Sequence, residues 1–428
     1  MNSLNFDSFL TLVANRQIWI WGAGNQGRGV CQALQRKAIP VAGFIDSAID
    51  LAGKTALGLP IVSPNLIIQT KSASQVFIII ASFYFEEEIK SRCCLSGFKE
   101  NCDFIVYSRL KPNDYAIDIT GACNLKCVSC PHAYNNPAER RSGVMSLENF
   151  KRVIDKIVAE SPFVGNLQLY QWGEPTLHKQ LPDMLRYANA QGIKCAISSN
   201  LNVPADFEAI IEAKPEWLRL STSGWGSHYE ITHTQGKWPV FLQHLYEVCA
   251  LRNRIHPEMK VEVFFHLYKH SQQAELEQWQ KTCAELAIEL HPVYAYLISL
   301  DDVLAYQEGK ALPPIAQTTS EMLLLPLEHG LAEAKMEKHL PCDTFRCINI
   351  NWDLSVSNCM MYYYPTDNVA VDNYLDTSLT EIMKVREDCN LCQRCMDKGI
   401  HRYCGVYSRK RIAPGELVSD NMIGESDV

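Results

Sequence analysis

Short apolar runs alternate with longer stretches of helical periodicity along most of the chain. Residues 18–21, 41–45, 76–81 and 104–107 predict strands in the first part, with a helix over 28–36. Residues 109–114 read as a linker. A second series begins at Tyr115. Its predicted strands are 116–119, 167–170, 194–198, 217–221, 261–267 and 289–296, with helices such as 147–159 and 181–191 between them. Six repeats of strand then helix predict a parallel sheet curled into a partial barrel. Residues 305–340 form a Pro-interrupted, partly helical connector. From Cys342 onward the chain is irregular and Cys-rich, with a short strand at 348–352. The acidic end, 418–428, is expected to fray.

Composition bounds this picture. The 428 residues are 47% hydrophobic and 21% charged, an ordinary globular balance with length for two or three domains. The net charge is -8 with no basic run, so nucleic acid is disfavoured as a partner, because phosphate binding needs clustered Lys and Arg. The longest apolar run, 76–85, falls short of the roughly 20 residues that span a bilayer, so no membrane partner is expected. The N-terminal residues lack the basic start and long apolar core of a secretion signal. A cytoplasmic location is the expectation that follows.

Cysteine usage changes the picture most. Of 17 cysteines, three lie at Cys123, Cys127 and Cys130, and seven between Cys342 and Cys404. The scattered remainder (Cys31, Cys93, Cys94, Cys102, Cys195, Cys249 and Cys283) read as small core hydrophobes. In a reducing compartment, clustered cysteines point to metal or redox chemistry. Cys123-x3-Cys127-x2-Cys130 follows the first barrel strand. Three thiolates on one loop can hold three corners of a [4Fe-4S] cube and leave the fourth iron open. Zinc is the alternative, and it would want a fourth ligand, for which His132 is the nearby candidate. At the other end, Cys342-x4-Cys347-x11-Cys359 precedes Cys389-x2-Cys392-x2-Cys395-x8-Cys404. Cys-x2-Cys spacing lets two thiolates of one turn share a metal, a cluster or a zinc ion.

The first domain carries Gly22-x-Gly24-x2-Gly27 between a strand and a helix, with Asp46 ending the next strand. Glycines there allow a tight turn and let a phosphate approach a helix N-terminus, while the acid stands where ribose hydroxyls would lie. Nucleotide binding and a purely docking role are both open on these residues.

The three-cysteine loop, placed after the first strand of a partial barrel, resembles the radical S-adenosylmethionine (SAM) superfamily. The resemblance implies that the open iron chelates SAM, and that its reductive cleavage gives a 5′-deoxyadenosyl radical that abstracts hydrogen from a substrate. Ser129 stands where relatives often have an aromatic residue. Trp172-Gly173-Glu174 follows the second strand, where the family places its motif for the amino group of SAM. Ser198 and Asn200 end the third strand and Ser221 ends the fourth, where the resemblance implies further SAM contacts. The C-terminal cysteines resemble the SPASM extension, which implies one or two auxiliary [4Fe-4S] clusters. Cys342, Cys359, Cys389 and Cys392 are the preferred ligands; Cys347, Cys395 and Cys404 are a second set or partial substitutes. Leu354 occupies a position where that extension usually has Gly, and the local turn is expected to differ accordingly.

The first domain is similar to small Rossmann-like domains of sugar-modifying enzymes, through the run 41–46 and through 58–62. The expected fold is α/β: a partial (β/α)6 TIM-type barrel, an N-terminal Rossmann-like domain and a C-terminal Cys-rich SPASM-like extension. The expected domains are 1–110, 111–304, a connector 305–341, and 342–428. The resemblance implies hydrogen abstraction from a sugar, nucleotide-sugar or other small polyol, with an electron donor such as flavodoxin or ferredoxin. Peptide modification is the main alternative, and a non-catalytic cluster scaffold or sensor the other.

Overall fold

The computed structural model describes residues 6–69, 71–82, 85–106, 113–134, 142–161, 163–342, 344–363 and 368–410. Most of the predicted linker 109–114 and all of the tail 418–428 lie outside the described residues. The chain divides into two compact units. The first comprises Met1–Tyr115, Lys151–Leu167 and Tyr187–Lys194; the second comprises Ala116–Phe150, Gln168–Arg186 and Cys195–Val428.

In the first unit, strands β1 (Gln17–Trp21), β2 (Val41–Ile45), β3 (Thr55–Ala56), β4 (Leu59–Val62), β5 (Val76–Ile80) and β6 (Phe104–Val106) form one sheet. Their order is β3-β4-β2-β1-β5-β6. All pairs are parallel except β3 with β4. Every residue of β5 is buried, as a central parallel strand covered on both faces requires. The β3–β4 hairpin escaped the periodicity reading because two residues carry no period and Pro60 argues against a strand. Strand order reverses between β1 and β5, the point where open α/β sheets leave a crevice.

The second sheet has nine strands. They are β7 (Asn113–Ile117), β8 (Val164–Gln168), β9 (Cys195–Ser199), β10 (Trp217–Thr222), β11 (Lys260–Leu267), β12 (Glu289–Tyr294), β13 (Cys347–Ile350), β14 (Val356–Ser357) and β15 (Val369–Val371). The order is β12-β11-β10-β9-β8-β7-β13-β14-β15. The six predicted barrel strands are therefore neighbours in sequence order. The registers of β9 to β12 are parallel. The sheet is open: β12 and β15 are its edges, so the barrel is partial. On β10, Leu218 and Leu220 are buried while Trp217, Arg219 and Ser221 are half-buried on the other face. This alternation separates an apolar side from a polar one.

Three local readings need correction. Cys94 and Cys102 are exposed rather than part of the core. Strand β8 starts and ends earlier than the predicted 167–170, because Gly165 and Asn166 are weak strand formers and hid its start. The turn at Leu354 does not avoid the left-handed region: Leu354 has φ +73°. Its amide donates to Asn351 O at 2.9 Å, and its carbonyl accepts from Tyr374 N at 2.8 Å. Its side chain is buried. Burying a Leu is worth about 1.5–3 kcal/mol, which offsets a left-handed penalty of about 1–2 kcal/mol.

A radical SAM domain and its candidate active site

The cysteine loop is positioned by backbone stitching. Lys126 N donates to Thr234 O at 2.9 Å and Val128 N to Thr232 O at 3.0 Å, tying the loop to the segment after β10. Gly173 and Glu174 tie it to the segment after β8. Gly173 N donates to Asp118 Oδ1 at 3.3 Å, and Glu174 N to Ala122 O at 2.8 Å. A Cβ on Gly173 would stand 1.6 Å from Thr120 O, so only glycine allows this approach.

The Glu174 carboxylate is buried, and burial raises its pKa against the hydrogen bonds that favour its charge. Oε1 accepts from Thr176 N at 3.1 Å and Thr176 Oγ1 at 2.6 Å; Oε2 accepts from Asn200 N at 2.8 Å. The Ser199 hydroxyl also reaches the carboxylate. A carboxylate has about four acceptor positions, so Glu174 braces the loops after β8 and β9 against each other. Asn200 in turn donates to Asn124 Oδ1 at 3.0 Å and lies 3.9 Å from Cys123 Sγ.

Cys123, Cys127 and Cys130 act electrostatically on one another. Burial is the first cause that pushes the Cys123 thiol up to about 12 and raises that of Cys127 well above its ordinary value. Metal binding must therefore supply the energy of deprotonation. The three sulfurs are not drawn together as for one ion. Among the described residues, three ligand atoms lie within 4.8 Å of one another only at Glu262, Glu289 and His291. A Zn–S bond of about 2.3 Å would bring tetrahedral thiolates closer than that. His132, the candidate fourth zinc ligand, is buried and shares a 3.1 Å hydrogen bond through Nδ1 with the Tyr363 hydroxyl.

Cys127 and Cys130 open onto a cavity of about 320 Å³ on the polar face of the sheet. Of the residues singled out in the sequence, Trp172, Ser198 and Ser221 line it, whereas Cys123, Gly173, Glu174 and Asn200 lie outside its lining. Ser129 also lines it, and the Tyr268 phenol bonds to Ser129. Sequence reasoning missed Tyr170, Arg219, His233 and His266, which complete the polar wall. Strand alternation was the available signal for Arg219 and His266, since each is a polar residue between apolar neighbours on a parallel strand.

The C-terminal cysteines gather around a second, largely apolar cavity lined by Cys342, Cys359, Cys392, Cys395 and Cys404. Burial pushes the Cys359 thiol up to about 11, and Met361 N donates to its sulfur at 3.4 Å. Cys389 precedes the helix Asn390–Lys398; a hydrogen bond with Cys392 lowers its pKa and raises that of Cys392. Cys389 is itself outside that lining but is hydrogen-bonded to Cys392, which is in it; Cys347 is outside it altogether, opening β13 and acting on Tyr170, which lines the first cavity.

In the first unit, Gly22 has φ +117°, and a Cβ there would meet Ala81 O at 2.5 Å. A Cβ on Gly27 would meet Gly22 O at 1.8 Å. Gly24 differs: nothing lies within 4 Å of its Cβ position, at the N-cap of the helix Asn25–Arg36. Asp46 is committed to the turn, its Oδ2 accepting from Ala23 N and its Oδ1 from Ala48 N, both at 2.9 Å. No helix among the described residues is long and apolar enough to cross a membrane.

Residues 117–245 match the Radical SAM superfamily, and residues 14–101 match the family C2185-like, N-terminal. Residues 117–245 thus form a radical SAM domain, of a superfamily that uses a [4Fe-4S] cluster and SAM. Over 83 residues it is 36% identical to the Fe-coproporphyrin III synthase of Methanosarcina barkeri, covering 19% of this chain and 20% of that protein. Over 87 residues it is 32% identical to the AdoMet-dependent heme synthase of Oleidesulfovibrio alaskensis, covering 20% and 21%. The chain thus spans about a fifth of the length of these curated relatives. Among solved structures, anSMEcpe with bound AdoMet aligns with TM-score 0.44 and 14% identity, over 70% of this chain and 92% of the other. Streptococcus suis SuiB bound to S-adenosylmethionine aligns with TM-score 0.43 and 14% identity, over 71% and 76%.

Proposed function

We propose that this radical SAM enzyme abstracts hydrogen from a small polar molecule, a sugar, nucleotide-sugar or other polyol, held in the cavity beside Cys127 and Cys130. The observation that carries this reading is the cavity itself. Hydrogen-bonding side chains at the strand ends, including Gln168, Tyr170, Gln171, Ser198 and Ser221, face it beside apolar ones such as Ile298, Met360 and Met361. Such convergent polar groups can hold the hydroxyls of a sugar while the apolar ones pack against its ring.

In this reading, Cys123, Cys127 and Cys130 hold the cluster, which with SAM supplies the radical chemistry when bound. Trp172, Ser198 and Ser221 contact SAM from the cavity wall. Gly173, Glu174 and Asn200 set the geometry from behind. Cys342, Cys359, Cys389, Cys392, Cys395 and Cys404 surround one auxiliary site, and Cys347 stands apart from it. A flavodoxin or ferredoxin serves as electron donor. Peptide modification is the competing reading. The test is label transfer: perdeuterated UDP-, GDP- and CDP-sugars are each incubated anaerobically with reconstituted enzyme, SAM and dithionite. Deuterium in 5′-deoxyadenosine from at least one of them is expected. Its absence with every sugar, alongside SAM cleavage, would remove the sugar reading.

The first domain is proposed to bind a nucleotide or nucleotide-sugar at the turn of Gly22, Gly24 and Gly27, which Asp46 holds in shape. Gly24 is the informative position. Its φ of -75° and ψ of -169° suit any residue, and its Cβ direction is open. Gly24→Val should therefore leave the fold intact, costing about 1 kcal/mol or less at an N-cap, while filling the space a pyrophosphate would occupy. Calorimetry on the full chain should show a loss of at least tenfold in nucleotide-sugar or NAD affinity. Equal affinity in the variant would leave a docking role for this domain.

A further inference from the structure

One cation inside the half-barrel has no counter-ion among the described residues. Arg219 lies on the polar face of β10 with Trp217 and Ser221. Its guanidinium sits 4.2 Å from the centre of the Phe264 ring, and its Nε is buried without a hydrogen-bond partner. The Tyr170 phenol lies within hydrogen-bonding reach of it. The strand register places Arg219 directly beside Glu262 on β11, the expected counter-ion.

That carboxylate is committed elsewhere. Glu262 Oε1 is 2.8 Å from Lys260 Nζ and 3.8 Å from His291 Nε2. Lys260 and His291 also approach Glu289, at 3.4 and 3.5 Å. Hydrogen bonds to Glu262 and Glu289 raise His291 to about 9, so it is protonated at neutral pH. Two cations thus balance two carboxylates, and Arg219 forms no ion pair among the described residues. The cavity lining contains no Asp or Glu. Its two imidazoles stay neutral, because burial lowers His233 to about 4 and His266 to about 3. The cavity wall therefore carries a single fixed positive charge. Keeping such a charge unpaired and partly out of water is costly. A ligand that brings the counter-charge would repay it.

We infer that Arg219 anchors an anionic group of the substrate, a carboxylate or a phosphate, at the inner end of the cavity. The inference rests on the proposed function, since it names the substrate class of that same cavity. Arg219 lies two residues before Ser221 on β10, which places it about 6–7 Å deeper along the strand than Ser221. A bound anion there leaves the rest of the substrate pointing toward the cysteine loop. The guanidinium fork matches carboxylate and phosphate oxygens in a bidentate fashion.

The test uses the full-length, reconstituted, SAM-loaded protein. Calorimetry compares glucuronate and glucose 6-phosphate with neutral glucose, and the preferred anion identifies carboxylate or phosphate. At least one anion should bind tenfold or more tightly than glucose. Arg219→Gln should abolish that preference, a loss of roughly 10- to 100-fold for charged hydrogen bonds; Arg219→Lys should keep part of it. Iron content and melting temperature check that both variants are folded. Equal binding of charged and neutral probes, or an undiminished preference in Arg219→Gln, would overturn the inference. So would an equal loss of SAM affinity in that variant, which would make Arg219 a SAM ligand instead. Failure of the underlying reading looks different: wild-type protein would then cleave SAM without taking deuterium from any sugar, whatever it binds at Arg219.

Discussion

Replacing Cys123, Cys127 and Cys130 together with Ala is expected to abolish reductive SAM cleavage and to halve the bound iron. The wild-type protein, reconstituted anaerobically, should hold about eight irons as two cubes, and the triple variant about four. The two sets of cysteines line separate cavities, so losing one should leave the other loaded. Iron counting and 5′-deoxyadenosine assays read the two consequences independently. Normal 5′-deoxyadenosine production by the triple variant would defeat the assignment of the cluster. A wild-type count near four irons, with zinc in the C-terminal cavity, would instead defeat the auxiliary cluster alone.

The second large effect is expected at Gly173, which does not line the cavity. An added Cβ would stand 1.6 Å from Thr120 O and 3.0 Å from Ala122 O, backbone atoms that cannot turn aside. Gly173→Ala must push the segment after β8 away from the one that leads into Cys123. Overpacking of this kind costs on the order of 1–3 kcal/mol. A displacement near 1 Å at a catalytic centre costs about 100-fold in rate. The variant should therefore melt several degrees lower and lose SAM cleavage about 100-fold. Glu174→Gln keeps the shape and one accepting oxygen but sets an amide donor against the other half of the brace, so it should loosen the loops without the steric displacement, and a smaller loss is expected. Cleavage at the wild-type rate in Gly173→Ala would show that the two loops are not coupled.

Much of the architecture was legible because its signals are local. A buried parallel strand is a short apolar run, and the helices between such runs carry their own period. Strands β9, β10 and β11 were accordingly placed to within a residue or so. The Cys123 loop stood out because three closely spaced cysteines need no long-range contact to be noticed. Leu354 shows the limit of such reading. Its left-handed backbone is set by contacts to Asn351 and Tyr374 and by burial, and no local preference for Leu reports these.

The sequence by itself determined the class of chemistry, the order of strands and helices, and which cysteines stand together along the chain. Each of these follows from residue type and spacing within a few turns. The tertiary structure alone decided which polar groups are spent and which are free. Glu174 and Asp46 look like ligand-binding acids in the sequence, yet both are occupied by backbone amides from neighbouring loops. Arg219 looks like an ordinary strand residue, yet Lys260 and His291 take its natural counter-ion and leave its charge facing the cavity. Whether a charge is satisfied depends on partners distant in sequence and adjacent in space, and only the fold brings them together.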